Sequence, residues 1–210
     1  MLVMMPYFPY ARQDKIFLSG EALSVETISK IIKDLGCDEV ITFDCHFIKK
    51  SGEFDYGGLR FNNLSLSKEM IEYFKSKASD PPIISPDEGA KYLVEKENGA
   101  KIVKKIRGEY KDKKGIYREI ESMKIDFDVS GREVVIIDDM VSTGTTMIRA
   151  VEICKEAGVG KIYCGTTHGR FLINSLKNLK RAGAEEVISS DTIKSSTSKI
   201  SIINKLSGSL

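Results

Sequence analysis

The residues best suited to chemistry in this sequence are two adjacent carboxylates, Asp138 and Asp139, followed closely by a turn rich in hydroxyl groups. The free backbone N–H groups of such a turn, together with the positive end of the helix that follows it, can bind a phosphate. The two carboxylates can accept hydrogen bonds from vicinal sugar hydroxyls, or hold Mg²⁺ directly or through water. The combination predicts a sugar-phosphate site, with the carboxylates on the ribose diol and the turn on the phosphate. The turn consists of Ser142, Thr143, Gly144, Thr145 and Thr146.

A purely structural interpretation of this motif stays open. Ser142 and Thr143 could cap the helix while the two aspartates are simply solvated. Two other nucleotide-binding motifs are excluded, because no Lys follows Gly144 as in a Walker loop and the Gly-x-Gly-x-x-Gly fingerprint is absent.

The elements that position this motif can be read from its flanks. Val134–Ile137 is a run of apolar β-branched residues, typical of a strand that is buried on both faces of a parallel sheet. The stretch from Met147 to Ala157 carries its apolar residues where the inward face of a helix would have them. The sequence therefore predicts that the carboxylates end a strand and that the hydroxyl-rich turn is a helix N-terminus.

A repeated pattern predicts the architecture around this motif. The segment 36–46 matches 158–168 in spacing, and 183–191 matches the first of these again. Each unit has a glycine after a helix, a few polar residues and then a strand, which indicates an α/β fold. His46 and His168 end two of these strands at equivalent places. A lone histidine there is often structural, but the matched placement favours a role at the ligand-facing end of the sheet.

The repeat also predicts the domain organisation. Residues 75–82, with two prolines, are the natural boundary between two similar units. We expect a first unit at 1–78, a second at 79–197, and a tail at 198–210 that forms a strand and a short helix and packs back on the first unit.

Three further segments carry candidate site residues. Arg12 and Gln13 follow an opening strand, although a solvated turn would also account for them. Asp87 lies in a turn after a short strand, as a metal-bound diphosphate or a plain β-turn would require. Ser24–Leu35 is predicted to be a helix capped by Ser24 and Thr27.

The segment 100–117 is strongly basic. A solvated loop and an RNA-binding segment are both open interpretations, but only two tyrosines interleave with the charges. A loop that closes over phosphates explains the same residues better if the central motif binds a phosphate.

Composition sets the outer limits. The chain has 210 residues and a net charge of +2, so no global field argues for nucleic acid. It has no apolar run long enough for a membrane span and no signal peptide, so a soluble cytoplasmic protein is the expectation. The four cysteines form no Cys-x-x-Cys pair and are predicted to be reduced core residues.

Taken together, these motifs resemble those of ribose-phosphate diphosphokinase, also called PRPP synthetase, and the archaeal form in particular. The resemblance covers essentially the whole chain. It implies two phosphoribosyltransferase-like units with parallel sheets flanked by helices, the first of them truncated. The motifs that carry it are Pro9-Tyr-Ala-Arg-Gln-Asp-Lys15, Asp44-x-His46, Ser85-Pro-Asp-x-Gly89, Lys105-x-Arg107, Ile137-Asp-Asp-Met-Val-Ser-Thr-Gly-Thr-Thr146, Thr167-His-Gly169 and Asp191-Thr-Ile193.

The resemblance implies transfer of the diphosphoryl group of ATP to ribose 5-phosphate, giving PRPP and AMP. It implies a catalytic pair, Lys105 and Arg107, of which Arg107 would also contact ribose 5-phosphate. A homodimer or larger homo-oligomer with no nucleic-acid or membrane partner is expected. The other implied roles are ATP binding by Arg12, Gln13 and His46, Mg²⁺ binding by Asp44, His46 and Asp87, ribose binding by Asp138 and Asp139, and 5-phosphate binding by residues 142–146.

Some features depart from the family pattern. The family's first strands and a Phe-x-Asp-Gly-Glu loop would lie ahead of residue 1. Thr145 stands where a second glycine is usual, Ala90 where many members have glycine, and Ile16 where a basic residue is common. A non-catalytic regulatory subunit and, less so, a phosphoribosyltransferase therefore remain as alternative interpretations.

Overall fold

The computed structural model describes residues 1–97, 100–106, 122–125 and 127–207, and of 104–106 and 122–124 it describes the backbone. Within these ranges the chain forms two sheets of four and six strands and a separate two-stranded ribbon. The α/β class predicted from the sequence is confirmed.

The first sheet has the strand order β1-β2-β4-β3, and β3 alone runs antiparallel to its neighbour. Two helices accompany it. The elements are β1 (Leu2–Met4), α1 (Ser24–Asp34), β2 (Glu39–Phe43), β3 (Gly52–Tyr56), β4 (Leu59–Leu64) and α2 (Ser67–Lys75).

Two details of this sheet differ from expectation. Helix α1 begins as predicted, but Leu23 occupies its N-cap position and no side chain caps it, so the capping role of Ser24 and Thr27 was wrong. The hairpin of β3 and β4 was not predicted. Its signal is the pair Gly57-Gly58, both with positive φ, as a two-residue turn between twisted strands requires.

The second sheet is parallel throughout, in the order β12-β11-β10-β9-β5-β6. Its strands are β5 (Ile83–Ser85), β6 (Lys101–Ile102), β9 (Glu133–Val141), β10 (Lys161–Gly169), β11 (Ala184–Ser190) and β12 (Ser198–Ile200). Its helices are a 3-10 helix (Glu88–Leu93), α3 (Thr145–Glu156), α4 (Ser175–Ala182) and α5 (Ile202–Leu206), and the ribbon pairs β7 (Lys104–Ile106) with β8 (Ser122–Lys124).

Strand β9 lies at the centre of the core and is buried on both faces, as the sequence predicts. Val134 and Ile136 pack in the cluster that contains α3, whereas Val135 and Ile137 pack in the cluster that contains α2. Helix α2 therefore follows the first sheet in sequence but covers one face of the second. This shared helix packs the two sheets together.

The central strand is longer than the sequence suggests. It was expected to end at Ile137, but β9 continues to Val141, and Asp138 and Met140 pair with Thr166 and His168 of β10. The two carboxylates consequently lie inside the last part of a paired strand. The backbone pairing with β10 fixes the directions of their side chains.

The tail forms the strand and short helix that its pattern predicts. Strand β12 extends the second sheet beside β11. Helix α5 contacts α2 through an ion pair of 3.0 Å between Lys205 and Glu69, and Ile202 and Leu206 pack on the cluster around α2. None of the helices in the described ranges is long and apolar enough to cross a membrane.

Candidate functional site

A cavity of about 1160 Å³ opens where strands from both sheets end. Loops that follow β1, β2 and β5 meet the end of β9 and the first turn of α3 there, as expected for ligand sites in open α/β sheets. The lining residues are Arg12, Asp14, Lys15 and Phe17; His46 and Lys49; Asp87, Glu88, Gly89 and Ala90; and the continuous run from Asp138 to Met147.

The turn before α3 has the geometry of a phosphate site. Gly144 occupies the N-cap position with φ +81°, and no side chain caps the helix. A Cβ at Gly144 would lie 3.1 Å from the Cβ of Ser175, so a larger residue would force the turn away from the start of α4. The alternative in which Ser142 and Thr143 only cap the helix is not what the structure shows. The N-terminal N–H groups of α3 face the cavity instead.

The two carboxylates beside this turn have different surroundings. Asp139 is nearly buried, and its Oδ2 lies 2.8 Å from Nδ1 of His46 and 3.4 Å from Nζ of Lys49. Asp138 is partly exposed to the cavity, and its Oδ1 accepts a hydrogen bond of 2.9 Å from the backbone N–H of Asp139.

These surroundings separate the proton affinities of the pair. Burial raises the pKa of Asp138 well above its usual value, and the negative charges of Asp139 and Asp87 raise it further. Burial alone would also raise the pKa of Asp139, but the hydrogen bond from His46 and the nearby positive charges lower it below the usual value. One carboxylate is therefore held ionised while its neighbour holds a proton more tightly. Such a pair can both accept hydrogen bonds from a diol and donate one to it.

The three predicted metal ligands do not share one place. His46 and Asp87 line the cavity, whereas Asp44 lies behind it, fully buried, and burial raises the pKa of Asp44 to about 6. Its Oδ2 accepts hydrogen bonds from the Leu66 N–H at 3.0 Å and the Thr167 hydroxyl at 2.6 Å. Among the described residues, no group of three or more His, Cys, Asp or Glu side chains could hold a metal ion by itself.

The predicted nucleotide and catalytic residues have mixed positions. Arg12 lines the cavity, but Gln13 is not part of the lining and uses its backbone to bond Tyr10 and Val25. Lys105 belongs to β7, whose side chains are not described, and Arg107 lies outside the described residues. The catalytic role of this pair stays a prediction.

Next to the cavity, the ends of β2 and β10 form a buried contact that we call the inter-sheet seam, made by Phe43 and Asp44 with Thr167 and His168. Nε2 of His168 lies 2.8 Å from the Phe43 carbonyl oxygen, and Nδ1 lies 2.9 Å from the Thr192 hydroxyl. Burial lowers the pKa of His168 to about 4, so its ring is neutral. The ligand-facing role considered for His168 is therefore wrong, and this histidine joins the two sheets.

Comparisons with known proteins agree with this geometry. Residues 96–207 match the family model described as a phosphoribosyl synthetase-associated domain. The ribose-phosphate pyrophosphokinase of Pyrococcus furiosus is 36% identical over 208 residues, covering 97% of this chain and 71% of its own length. The chain belongs to the ribose-phosphate pyrophosphokinase family. The enzyme of that name from Thermococcus kodakarensis is 33% identical, with 97% and 70% of the two chains covered.

The fold agrees as well. The crystal structure of phosphoribosylpyrophosphate synthetase from Mycobacterium smegmatis superposes with a TM-score of 0.75 at 23% identity, covering 99% of this chain and 69% of that one. At that identity the likeness shows the fold, and it is the two-sheet fold with helices that the family resemblance implied.

Among the cavity residues of this ribose-phosphate pyrophosphokinase family member that the sequence analysis missed, Lys49 has the most informative contacts. Lys49 follows His46 by three residues, and its ammonium reaches Asp139, 90 positions further along the chain. Its only sequence signal was membership of the same short loop after β2. Nothing local distinguishes it from Lys50, which lies beside the ring of Phe54 instead.

Proposed function

We propose that this chain transfers the diphosphoryl group of ATP to the anomeric hydroxyl of ribose 5-phosphate, giving PRPP and AMP, the activity after which its relatives are named. The observation that carries the proposal is the end of β9. An uncapped helix N-terminus and two carboxylates of opposite proton affinity lie side by side there, in one cavity between two sheets.

Each part of ribose 5-phosphate has a matching group in this cavity. The 5-phosphate would bind at residues 142–146, where the N–H groups of α3 and the hydroxyls of Thr143 and Thr145 are available. The ribose diol would bind Asp138 and Asp139. Arg12 would contact the nucleotide from the opposite wall, which is built by the first sheet.

The reaction requires little covalent chemistry from the protein. The anomeric oxygen would attack the β-phosphorus of ATP and lose its proton, the bond from that phosphorus to the bridging oxygen of the α-phosphate would break, and AMP would leave with that oxygen. Catalysis of such a transfer depends on positioning and on countercharge. We assign the countercharge to Lys105 and Arg107, as the family resemblance implies.

The donor set suits Mg²⁺. Asp87 brings a carboxylate to the cavity lining, and Mg²⁺ is commonly bound by one or two carboxylates together with water and substrate phosphates. A site of that kind needs no ready-made group of three protein ligands. When bound, the ion would neutralise phosphate charge. The buried Asp44 would support the loop that carries His46 and would not contact the ion itself.

A homo-oligomer and a cytoplasmic location also belong to this proposal. Ile16, Phe17 and Leu18 are three consecutive apolar residues that are each more than half exposed, and Phe17 lines the cavity, so a second copy covering this edge would also enclose the nucleotide. Light scattering on the purified chain measures the oligomeric state directly.

The decisive experiment measures AMP formation from ATP. The full chain should form AMP only when both Mg²⁺ and ribose 5-phosphate are present, and Lys105→Ala should lower the rate by about 100-fold or more, because charge stabilisation of the transition state is lost. Lys101→Ala is the matched control, since Lys101 is exposed and packs over the ring of Phe127 outside the cavity lining.

Binding of ribose 5-phosphate without any AMP formation would favour the regulatory-subunit alternative. Failure of the chain to bind ribose 5-phosphate at all would reject both readings.

A further inference from the structure

Lys49 is a charged residue of the cavity lining for which the sequence predicted no role. Its ammonium lies 3.4 Å from Oδ2 of Asp139 and 5.7 Å from the centre of the Tyr92 ring. It also lies 3.9 Å from where a Cβ on Gly89 would be. The ammonium group is thus between the turn that follows β5 and the carboxylates that end β9.

An ion pair with Asp139 does not account for this position. His46 approaches the same carboxylate oxygen more closely, at 2.8 Å, and the Lys49 contact is long. The Lys49 side chain is 42% exposed, so water screens its contact with Asp139. An ammonium has three N–H donors, so the donors that do not point to Asp139 are available to the cavity.

The charges around Lys49 indicate what it would bind. The described lining contains five acidic side chains and three cationic ones, and two of the cations, Arg12 and Lys15, come from the loop after β1. Lys49 is the described cation that lies beside both Asp139 and the turn at Asp87 and Gly89. An anion that extends from this turn to the ribose site would contact the Lys49 ammonium between the two.

A diphosphate attached to the anomeric carbon of a ribose is an anion of that shape. Its sugar would lie on Asp138 and Asp139 and its phosphates would extend toward the turn that contains Gly89. The Lys49 ammonium is close enough to this turn, 3.9 Å from where a Cβ on Gly89 would be, to contact phosphates that lie against it. A lysine supplies a mobile point charge, which suits a group that must be held and then released.

We propose that Lys49 binds the diphosphate group that is carried from ATP to ribose, and so acts as a substrate-contacting residue. The inference rests on the proposed function. It differs from a positioning role, in which Lys49 would only hold Asp139 in place for the ribose.

Two ligands separate these roles, because ribose 5-phosphate and PRPP share the ribose and the 5-phosphate and differ in the diphosphate. Their affinities for the full chain would be measured by calorimetry in the presence of Mg²⁺. Lys49→Gln should weaken PRPP binding by at least 10-fold and leave ribose 5-phosphate binding within 2-fold. Lys49→Arg, which keeps the charge, should recover at least half of the lost affinity on a logarithmic scale.

Lys50→Gln is the matched control and should change neither affinity, because Lys50 lies over the ring of Phe54. Equal losses for both ligands in Lys49→Gln would overturn the inference in favour of a positioning role, and unchanged PRPP binding would overturn it outright. Thermal melting of each variant shows whether it is folded. If the parent chain binds both ligands but forms no AMP, the enzymatic proposal fails while the Lys49 contact is still measured.

Discussion

Two neighbouring regions of this molecule are built from the same strand ends and have opposite properties. The cavity floor, formed by His46, Lys49 and Asp139, opens to the cavity, and its charges are partly hydrated. The inter-sheet seam is sealed, with Asp44, Thr167 and His168 all buried. The two histidines occupy equivalent places in the internal repeat, yet one faces a ligand cavity and the other a protein carbonyl. An equivalent position in a repeat therefore fixes the place of the residue in the backbone. The elements packed over its side chain decide whether that side chain faces a cavity or joins two sheets.

The comparison predicts that substitutions in the floor change activity and that substitutions in the seam change stability. The largest effect should come from Asp139→Asn in the floor. A hydrogen bond to a charged group contributes about 1.5–3 kcal/mol, so losing the charge proposed to bind the ribose hydroxyls should lower kcat/KM for ribose 5-phosphate by about 100-fold. The urea midpoint should fall only modestly, because the lost contacts of Asp139 stabilise the fold but its partners, His46 and Lys49, are exposed enough to be hydrated.

Asp128→Asn is the control for that substitution, since Asp128 is exposed and uses an oxygen to accept a hydrogen bond from the Ser130 N–H, which asparagine can also do. A stability loss in Asp139→Asn with kcat/KM unchanged would reverse the assignment of floor and seam.

The seam should give the protein a dependence on acid. The pKa of His168 is about 4 in the fold, because burial outweighs the attraction of Asp139, and about 6.5 when unfolded. At this residue the unfolded state therefore binds more protons below pH 6.5, so its contribution to stability falls as the pH drops toward 4. His168 should cost about 2 kcal/mol of unfolding free energy between pH 7 and pH 5. The buried Asp44 of the same seam acts in the opposite direction, because its raised pKa makes the folded state bind a proton first. The His168 contribution is therefore the difference between the parent and His168→Gln, measured by urea titration at both pH values.

His168→Gln should flatten that pH dependence, although it also lowers stability at pH 7. Thr192→Val removes a partner of the ring but keeps the buried imidazole, so it should keep the slope of the parent. An unchanged slope in His168→Gln would show that other groups cause the acid sensitivity.

The smallest of these effects comes from one hydroxyl. Thr167→Val removes the hydrogen bond of 2.6 Å to the buried carboxylate of Asp44, whose oxygen keeps the Leu66 N–H, and should lower the free energy of unfolding by about 0.5–1.5 kcal/mol. The adjacent Thr166→Val is the matched control. The Thr166 hydroxyl is buried with no hydrogen-bond partner, so its removal should be neutral or stabilising. Equal losses in the two variants would mean that packing, and not the hydrogen bond, accounts for the effect.

The sequence predicts the parts of this molecule that depend on local pattern. The buried β9, the glycines that follow α1, α3 and α4, and the turn before α3 all rest on residues within one strand and one helix, and the structure has them. Where β9 ends could not be predicted, because three of its last four residues pair with β10 and that pairing is set by the register between strands.

The site was predictable only in its central part. Asp138 and Asp139 look alike in the sequence, but the second contacts His46 and Lys49 in the loop that follows β2, and this contact separates their proton affinities. Asp44 was assigned to a metal because its motif resembles that of the family, whereas its burial depends on Thr167, 123 positions away. Long-range contacts of this kind leave no trace in local spacing.

The inter-sheet seam also bears on the order in which the chain can fold. The contact of Phe43 requires His168, 125 positions downstream, and the contact of His46 requires Asp139, 93 positions downstream. During synthesis the early segment can form its own strands, but its ligand-facing loops have nothing to close against until β10 has been made. Docking of the two sheets and assembly of the cavity floor are consequently a single late event. A nascent chain that stops before residue 139 would carry the first half of the cavity without its floor.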